Sequence, residues 1–329
     1  MKAIVYHNYG SPDVLKCDEI EKPTAGDKEV LIQVRAASVN PLDWHFMRGS
    51  PLALRIGTGL RKPTNPRLGV DVAGQVESVG RNVKQFKPGD EVFGACRGAF
   101  AEYACASERT LVKKSDQVTF EQAAAVPVAA LTALQGLRDK GHIQPGQKVL
   151  INGAAGGVGT FAVQIAKSFG ADVTGVCSTR NLDVVRSIGA DRVIDYTQED
   201  FTKGTQRYDL ILDCVGNHSF SARRRVLNHN GICVMVGGPN EGRWIGPLAG
   251  PLKALALSRF VSQNFVLILT RLGKKDDLTV IQELIKAGKV TPVIDRHYRL
   301  SEVPAAIRYL EAGHARGKVV ITLENNTKT

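Results

Sequence analysis

The chain has 329 residues, 43% of them hydrophobic and 23% charged, which is the length of two ordinary domains and the balance of a globular protein. No apolar run approaches the roughly 20 residues needed to cross a bilayer, and Met1-Lys2-Ala3-Ile4-Val5-Tyr6 enters a strand-like segment at once, so no leader peptide is expected and the cytoplasm is the predicted compartment. Six cysteines without a C-x-x-C pair argue against a disulfide framework or a metal knuckle. The net charge of +11 suits a phosphorylated cofactor. Its local clusters, Arg223-Arg224-Arg225 and Lys274-Lys275, lack the aromatic interleaving of a nucleic-acid surface.

Taken in chain order, the first 125 residues hold short β-rich segments, Val30 to Val34, Val70 to Val79 and Glu91 to Gly94, broken by turns such as Lys87-Pro88-Gly89-Asp90. This pattern predicts a partly closed β-barrel. From Pro127 to Pro292 strands alternate with helical patterns. Lys148 to Asn152 is followed by a glycine-rich turn and a helix carrying Val158, Ala162, Ile165, Ala166 and Phe169 at three- and four-residue spacing. Further strands are read at Asp172 to Cys177, Arg192 to Tyr196, Asp209 to Asp213 and Ile232 to Val236. The alternation predicts an α/β Rossmann domain with a doubly wound parallel sheet. The apolar stretch Phe260 to Thr270 is read as core or as a strand between two copies of the chain, in preference to a flap over a lipophilic substrate or a membrane surface. The tail strand Lys318 to Thr322 is expected to return to the first domain, giving 1–126 plus 293–329 as one domain and 127–292 as the other.

The turn reads Ala154-x-Gly156-x-x-Gly159. Backbone N–H groups of Ala155, Gly156, Gly157, Val158 and Gly159, at a helix N-terminus, suit a pyrophosphate because the helix dipole favours negative charge there. Gly156 allows close approach of the ligand, and Gly159 allows the helix to pack closely. An NAD-preferring site usually ends its second strand in an acid that binds the ribose 2′-OH. Here the strand ends Cys177-Ser178-Thr179-Arg180. The Ser178 hydroxyl and the Arg180 guanidinium suit a 2′-phosphate, so NADPH is the expected cofactor.

Five segments together, Ala37-Ser38-Val39-Asn40-Pro41-Leu42-Asp43, Lys87-Pro88-Gly89-Asp90-Glu91-Val92, Ala154 to Gly159, Asp213-Cys214-Val215-Gly216 and Gly313 to Ile321, resemble the medium-chain dehydrogenase/reductase superfamily. Within it the chain is most similar to the zinc-independent quinone oxidoreductases, including the zeta-crystallin and reticulon-interacting branches. The resemblance covers essentially the whole chain and implies a GroES-like catalytic domain beside the Rossmann domain. It implies further cofactor contacts at Thr132, Tyr196, Val215, Val236, His314, Ala315 and Arg316, and polar groups beside the nicotinamide at Asn40 and Asp43, with Asn40 donating to the acceptor oxygen or fixing the cofactor amide.

The zinc-bearing relatives carry cysteine where this chain has Asn40 and a His-Glu pair where it has Val70-Asp71, so no metal is expected. The predicted activity is hydride transfer from NADPH to a quinone. A 2-alkenal or enoyl reductase is the alternative; it needs an acid near the α-carbon, and no tyrosine adjoins Asn40. A non-catalytic NADPH-binding interaction protein is the third reading. The partners expected are a small-molecule acceptor and no nucleic acid, and both a homodimer and a peripheral membrane contact are compatible with the sequence.

Overall fold

A computed structural model describes residues 1–238, 246 and 249–323. The chain forms two compact units. The first comprises Met1–Ala129, Arg271–Lys286 and Pro292–Thr329; the second comprises Ala130–Thr270 and Ala287–Thr291.

The first unit opens with β1 (Lys2–Val5), β2 (Lys16–Glu19) and the long β3 (Glu29–Val39), followed by α1 (Pro41–Arg48) and α2 (Arg55–Thr58). Next come β4 (Asp71–Val79), β5 (Glu91–Ala95), β6 (Tyr103–Ser107), β7 (Leu111–Lys113), α3 (Phe120–Ala124) and α4 (Pro127–Leu134), the last continuing across the unit boundary. β3 is flanked by antiparallel β4, β6 and the tail strand, which buries it almost continuously. Val30, Ile32, Val72, Phe100 and Met47 fill the core beneath it. The resulting seven-stranded, largely antiparallel sheet is the GroES-like domain.

The second unit contains β8 (Lys148–Asn152), α5 (Gly157–Ser168), β9 (Asp172–Cys177), α6 (Leu182–Ser187) and β10 (Arg192–Asp195). It continues through β11 (Tyr208–Asp213), α7 (Phe220–Arg225), β12 (Leu227–Met235), α8 (Ala249–Ser258) and β13 (Asn264–Leu267). All six strands are parallel, in the order β10-β9-β8-β11-β12-β13. Val149, Leu150 and Ile151 are fully buried, as expected for a parallel strand covered on both faces. After β10 the chain crosses back to the other side of β8, so the strand order reverses between β8 and β11. This is the doubly wound Rossmann sheet.

The chain ends in α9 (Lys275–Lys286), β14 (Ile294–Arg299), α10 (Val303–Glu311) and β15 (Lys318–Thr322). β15 pairs antiparallel with β3, Val319 opposite Val39, which makes the first unit discontinuous. α9 lies in the first unit, although the sequence reading runs the second domain through to 292. Specific contacts hold it there: Gln282 Nε2 donates to the Lys113 carbonyl at 2.6 Å, and Lys275 Nζ lies 5.1 Å from the Phe86 ring centre. The short stretch after α9 stays with the second unit because the Gln164 side chain exchanges two hydrogen bonds with the Thr291 backbone. The apolar stretch 260–270 contains the sheet-edge strand β13; Phe265 is buried, while Phe260 and Leu269 are exposed. No helix among the described residues is long and apolar enough to cross a membrane.

Candidate functional site

In the second unit, most of the residues singled out for the cofactor lie beyond the carboxyl ends of the parallel strands. β8 leads into Gly153, whose φ of +84° places it in the left-handed region that glycine tolerates. The positive-φ glycine of the turn is therefore Gly153, one position before the Ala154 at which the sequence pattern was anchored. Gly156 N-caps α5 in extended conformation. A Cβ on Gly156 would meet only the Gly153 carbonyl at 3.4 Å, so this position is open on the ligand side. A Cβ on Gly159 would stand 2.0 Å from that same carbonyl. One glycine therefore leaves room for a ligand, and the other lets the helix close onto the turn. A helix N-terminus without a side-chain cap, opened by small residues, fits a pyrophosphate.

Ser178 is half-buried and Arg180 exposed just past β9. Tyr196 follows β10, with its amide donating to the Cys177 carbonyl at 3.0 Å, which aligns the ends of the two strands. The same alignment brings in Asp195, an acid that inspection of the second strand alone does not find. Its carboxylate accepts from the hydroxyls of Thr179 (2.5 Å) and Thr197 (2.8 Å). Val215 is exposed past β11, and Val236 follows β12, its amide bonded to the Asp213 carbonyl. Thr132 Oγ1 lies 2.8 Å from Thr270 Oγ1, just past β13.

Beneath this edge, Asp213 is buried, with Oδ1 accepting from Asn152 Nδ2 (2.8 Å), the Gly216 amide (2.8 Å) and the Val215 amide (3.2 Å). Its Oδ2 accepts from Arg223 Nη1 at 2.8 Å. The carboxylate thus ties β8, the 215–216 turn and α7 together where the strand order reverses, the position at which open α/β sheets bind ligands. His314, Ala315 and Arg316 lie in the first unit, on the loop between α10 and β15. That loop is anchored by Asp295, which accepts from the Arg316 amide (2.8 Å) and the Tyr309 hydroxyl (2.7 Å).

In the first unit, Asn40 N-caps α1, and its backbone amide donates to Asp43 Oδ2 at 2.7 Å. The Asn40 side chain is engaged at both of its polar atoms. Nδ2 donates to Asp71 Oδ2 (2.8 Å) and the Ser38 carbonyl (3.3 Å), while Oδ1 accepts from Lys318 Nζ at 2.6 Å. Both amide protons are engaged within the network, so donation to an acceptor oxygen would require giving one of them up, while Oδ1 keeps a second lone pair for a donor such as the cofactor amide. Asn40 is the hub of a buried network. Asp71 also accepts from Ser38 Oγ (2.7 Å) and the Val128 amide (3.0 Å), and Lys318 Nζ lies 3.3 Å from Asp71 Oδ2. Asn40, Asp43, Asp71 and Lys318 are each at most 3% exposed.

The network also bears on metal binding. Val70 offers no donor atom, and the Lys318 ammonium stands between Asn40 and Asp71, where it would repel a cation. No group of three potential metal-ligating side chains occurs among the described residues. The residues present therefore do not fit a zinc site. Burial also pushes the thiols of Cys96, Cys214 and Cys233 above the ordinary range, which argues against cysteine nucleophiles.

Asp43 is the unusual acid. Burial pushes its carboxyl up to about 8, helped by the Asp71 charge and opposed by the Asn40 amide and Lys318. The Gly69 amide is near enough to favour the ionised form, yet Oδ1 has no hydrogen bond. Between the ordinary carboxyl value of 3.8 and about 8, the folded chain holds a proton that the unfolded chain lacks. Stability linked to Asp43 is therefore present at low pH and lost as pH rises across that window. Denaturant titrations from about pH 5 to about pH 8 are expected to show this decline in the parent and a flatter profile in Asp43→Asn. Parallel profiles for the two proteins would assign the slope to other groups.

Tyr6, just past β1, is not among the site residues read from the sequence. Antiparallel bridging between Val5 and Arg67 brings this end of the chain beside the 65–70 segment, so that Tyr6 lines a cavity of about 50 Å³ with Phe46, Thr58, Gly69 and Val70. Burial pushes its hydroxyl up to about 12, with Tyr9 and Asp43 adding to the shift. It is therefore a neutral O–H donor at ordinary pH. No local pattern around residue 6 announces it, because long-range pairing alone places it there.

Residues 26–116 match the alcohol dehydrogenase GroES-like domain, and residues 188–321 match the zinc-binding dehydrogenase family. A chloroplast envelope quinone oxidoreductase homolog of Arabidopsis thaliana is 35% identical over 98% of both chains. The chain belongs to the quinone oxidoreductase family of the medium-chain dehydrogenase/reductase superfamily. An NADPH-dependent alkenal/one oxidoreductase of the same plant is 36% identical to this dehydrogenase/reductase over 98% of its chain and 79% of the relative. The crystal structure of the Escherichia coli quinone oxidoreductase complexed with NADPH superposes with a TM-score of 0.83 at 26% identity, covering 98% of this chain and all of that one.

Proposed function

We propose that this medium-chain dehydrogenase/reductase is a zinc-independent NADPH:quinone oxidoreductase. The observation that carries the reading is the glycine turn between β8 and α5, open at Gly156 and seated where the strand order reverses. When bound, NADPH supplies the hydride, two electrons with one proton, and a second proton from water completes the hydroquinone. The protein's part is to bind and orient. The backbone amides of Ala155 to Gly159 hold the pyrophosphate, Ser178, Arg180 and Tyr196 take the 2′-phosphate, and Asp213 holds the Val215 turn in place.

Arg180→Ala is expected to weaken NADPH binding roughly ten- to a hundred-fold, the loss of a charge-assisted contact of about 1.5–3 kcal/mol, while leaving NADH nearly unchanged. Fluorescence titration with both cofactors checks this. Equal losses for NADPH and NADH would remove Arg180 from the 2′-phosphate site.

Tyr6 favours a second reading, reduction of a 2-alkenal, because a neutral hydroxyl in the cavity wall supplies the kind of acid that protonation at the α-carbon requires. The deciding assay follows NADPH oxidation in strong chelator with a small benzoquinone and with a 2-alkenal of similar size. Quinone turnover well above alkenal turnover is the expected result. Turnover confined to the alkenal would establish the second reading, and NADPH binding without oxidation of any acceptor would establish the non-catalytic one.

A further inference from the structure

The small cavity beside Tyr6 adjoins a second one of about 490 Å³ within the same unit, and the two share a wall made of Asn65, Arg67, Val70 and Arg97. The hydrogen-bonding capacity of this wall is one-sided. Among the described residues neither the Arg67 nor the Arg97 guanidinium has an ion pair or a hydrogen bond, and Arg67 is half-buried over Gly98. Asn65 Oδ1 already accepts from the Arg67 backbone amide at 3.0 Å, which leaves its NH₂ as a donor. Several backbone carbonyls next to this wall already accept a hydrogen bond: Pro66 from Tyr6, Leu68 from Phe100, Gly69 from Gly98 and Ala99, and Val70 from Cys96. Glu29 lines the larger cavity outside the shared wall, and its carboxylate accepts from the Gly26 amide.

Arg67 is half-buried, and its guanidinium meets no anionic partner among the described residues, so a ligand oxygen that carries negative charge is the complement this wall lacks. We propose that the wall formed by Arg67, Arg97 and Asn65 is an acceptor subsite selecting acceptors that bear a carboxylate or a comparable anionic oxygen. The proposal rests on the oxidoreductase reading above, since it places the acceptor of that reaction in this cavity. The planar guanidinium fork of Arg67 matches a carboxylate in bidentate fashion, which a lysine there would not.

The test compares a benzoquinone bearing one carboxylate with its methyl ester, in NADPH-oxidation assays and, independently of turnover, by calorimetric titration of the protein. The parent is expected to favour the carboxylate in kcat/KM and in binding by ten-fold or more, with the preference shrinking at high salt. In Arg67→Met, which keeps the stem over Gly98, and in Arg97→Met, the carboxylate-to-ester ratio is expected to fall toward one through KM, with NADPH affinity unmoved. A parent ratio near one, or an unchanged ratio in both variants, would overturn the proposal. Absence of turnover with retained, Arg67-dependent binding of the carboxylate would instead count against the oxidoreductase reading and leave the subsite standing.

Discussion

Gly159→Ala is expected to abolish NADPH binding and to lower stability by several kcal/mol, because the added methyl group would stand 2.0 Å from the Gly153 carbonyl and 2.8 Å from Ala154 Cα, both of them backbone. A flexible side chain could rotate out of the way; a turn held by its own hydrogen bonds cannot. The Gly156 amide bonds to the Gly153 carbonyl at 3.0 Å, and the Ala154 amide bonds to the Val176 carbonyl at 2.9 Å. To accommodate the methyl group, α5 must move off its strand or the turn must open, and either change misaligns the amides proposed to hold the pyrophosphate. Gly156→Val supplies the contrast. Its φ is −80° and its nearest neighbour is at 3.4 Å, so the chain should keep its melting temperature and lose the cofactor by steric exclusion. Thermal melting and NADPH titration on both variants read the two effects separately. Unimpaired binding in Gly156→Val would mean that the turn is not the dinucleotide site.

Lys318→Met is expected to destabilise the first unit by about 3–5 kcal/mol, since it removes the only ammonium facing the Asp71 carboxylate among the described residues and leaves that charge in a dry interior. It also takes away the donor that fixes Asn40 Oδ1. Lys318→Arg would keep the charge but has to fit a larger, planar group into a space only 3% exposed, and should recover part of the stability. The double variant Lys318→Met with Asp71→Leu removes both charges, and is expected to be more stable than Lys318→Met alone. Denaturant unfolding of the three proteins measures this directly. A single variant as stable as the parent would show that water, and not Lys318, compensates Asp71.

The two cases differ in how far they could be read without coordinates. Gly159 is legible in the sequence because a strand, a glycine-rich turn and a helix with 3.6-residue periodicity follow one another within twenty residues, and local periodicity carries that information. The parallel sheet, the turn and the ends of β9 and β11 are legible in the same way. Gly153 is not, because a positive φ depends on how the turn meets the next strand. Neither is the place of Asp195, which belongs to β10, whose end is aligned with β9 only by tertiary pairing. The acceptor-facing reading of Asn40 came from a motif of neighbours; its side-chain partners are Asp71 and Lys318, 31 and 278 residues away.

By itself, then, the sequence determined the Rossmann architecture, the β-rich first domain and the glycine-rich turn between strand and helix, because each rests on residue types at short and regular spacing. The tertiary structure decided which polar groups are spent and which are free. It committed both Asn40 amide protons, raised the Asp43 carboxyl by burying it, moved α9 to the first unit and set Tyr6 and Arg67 in one cavity wall. Desolvation and hydrogen-bond saturation depend on every atom packed around a group, and those atoms come from strands paired across the length of the chain.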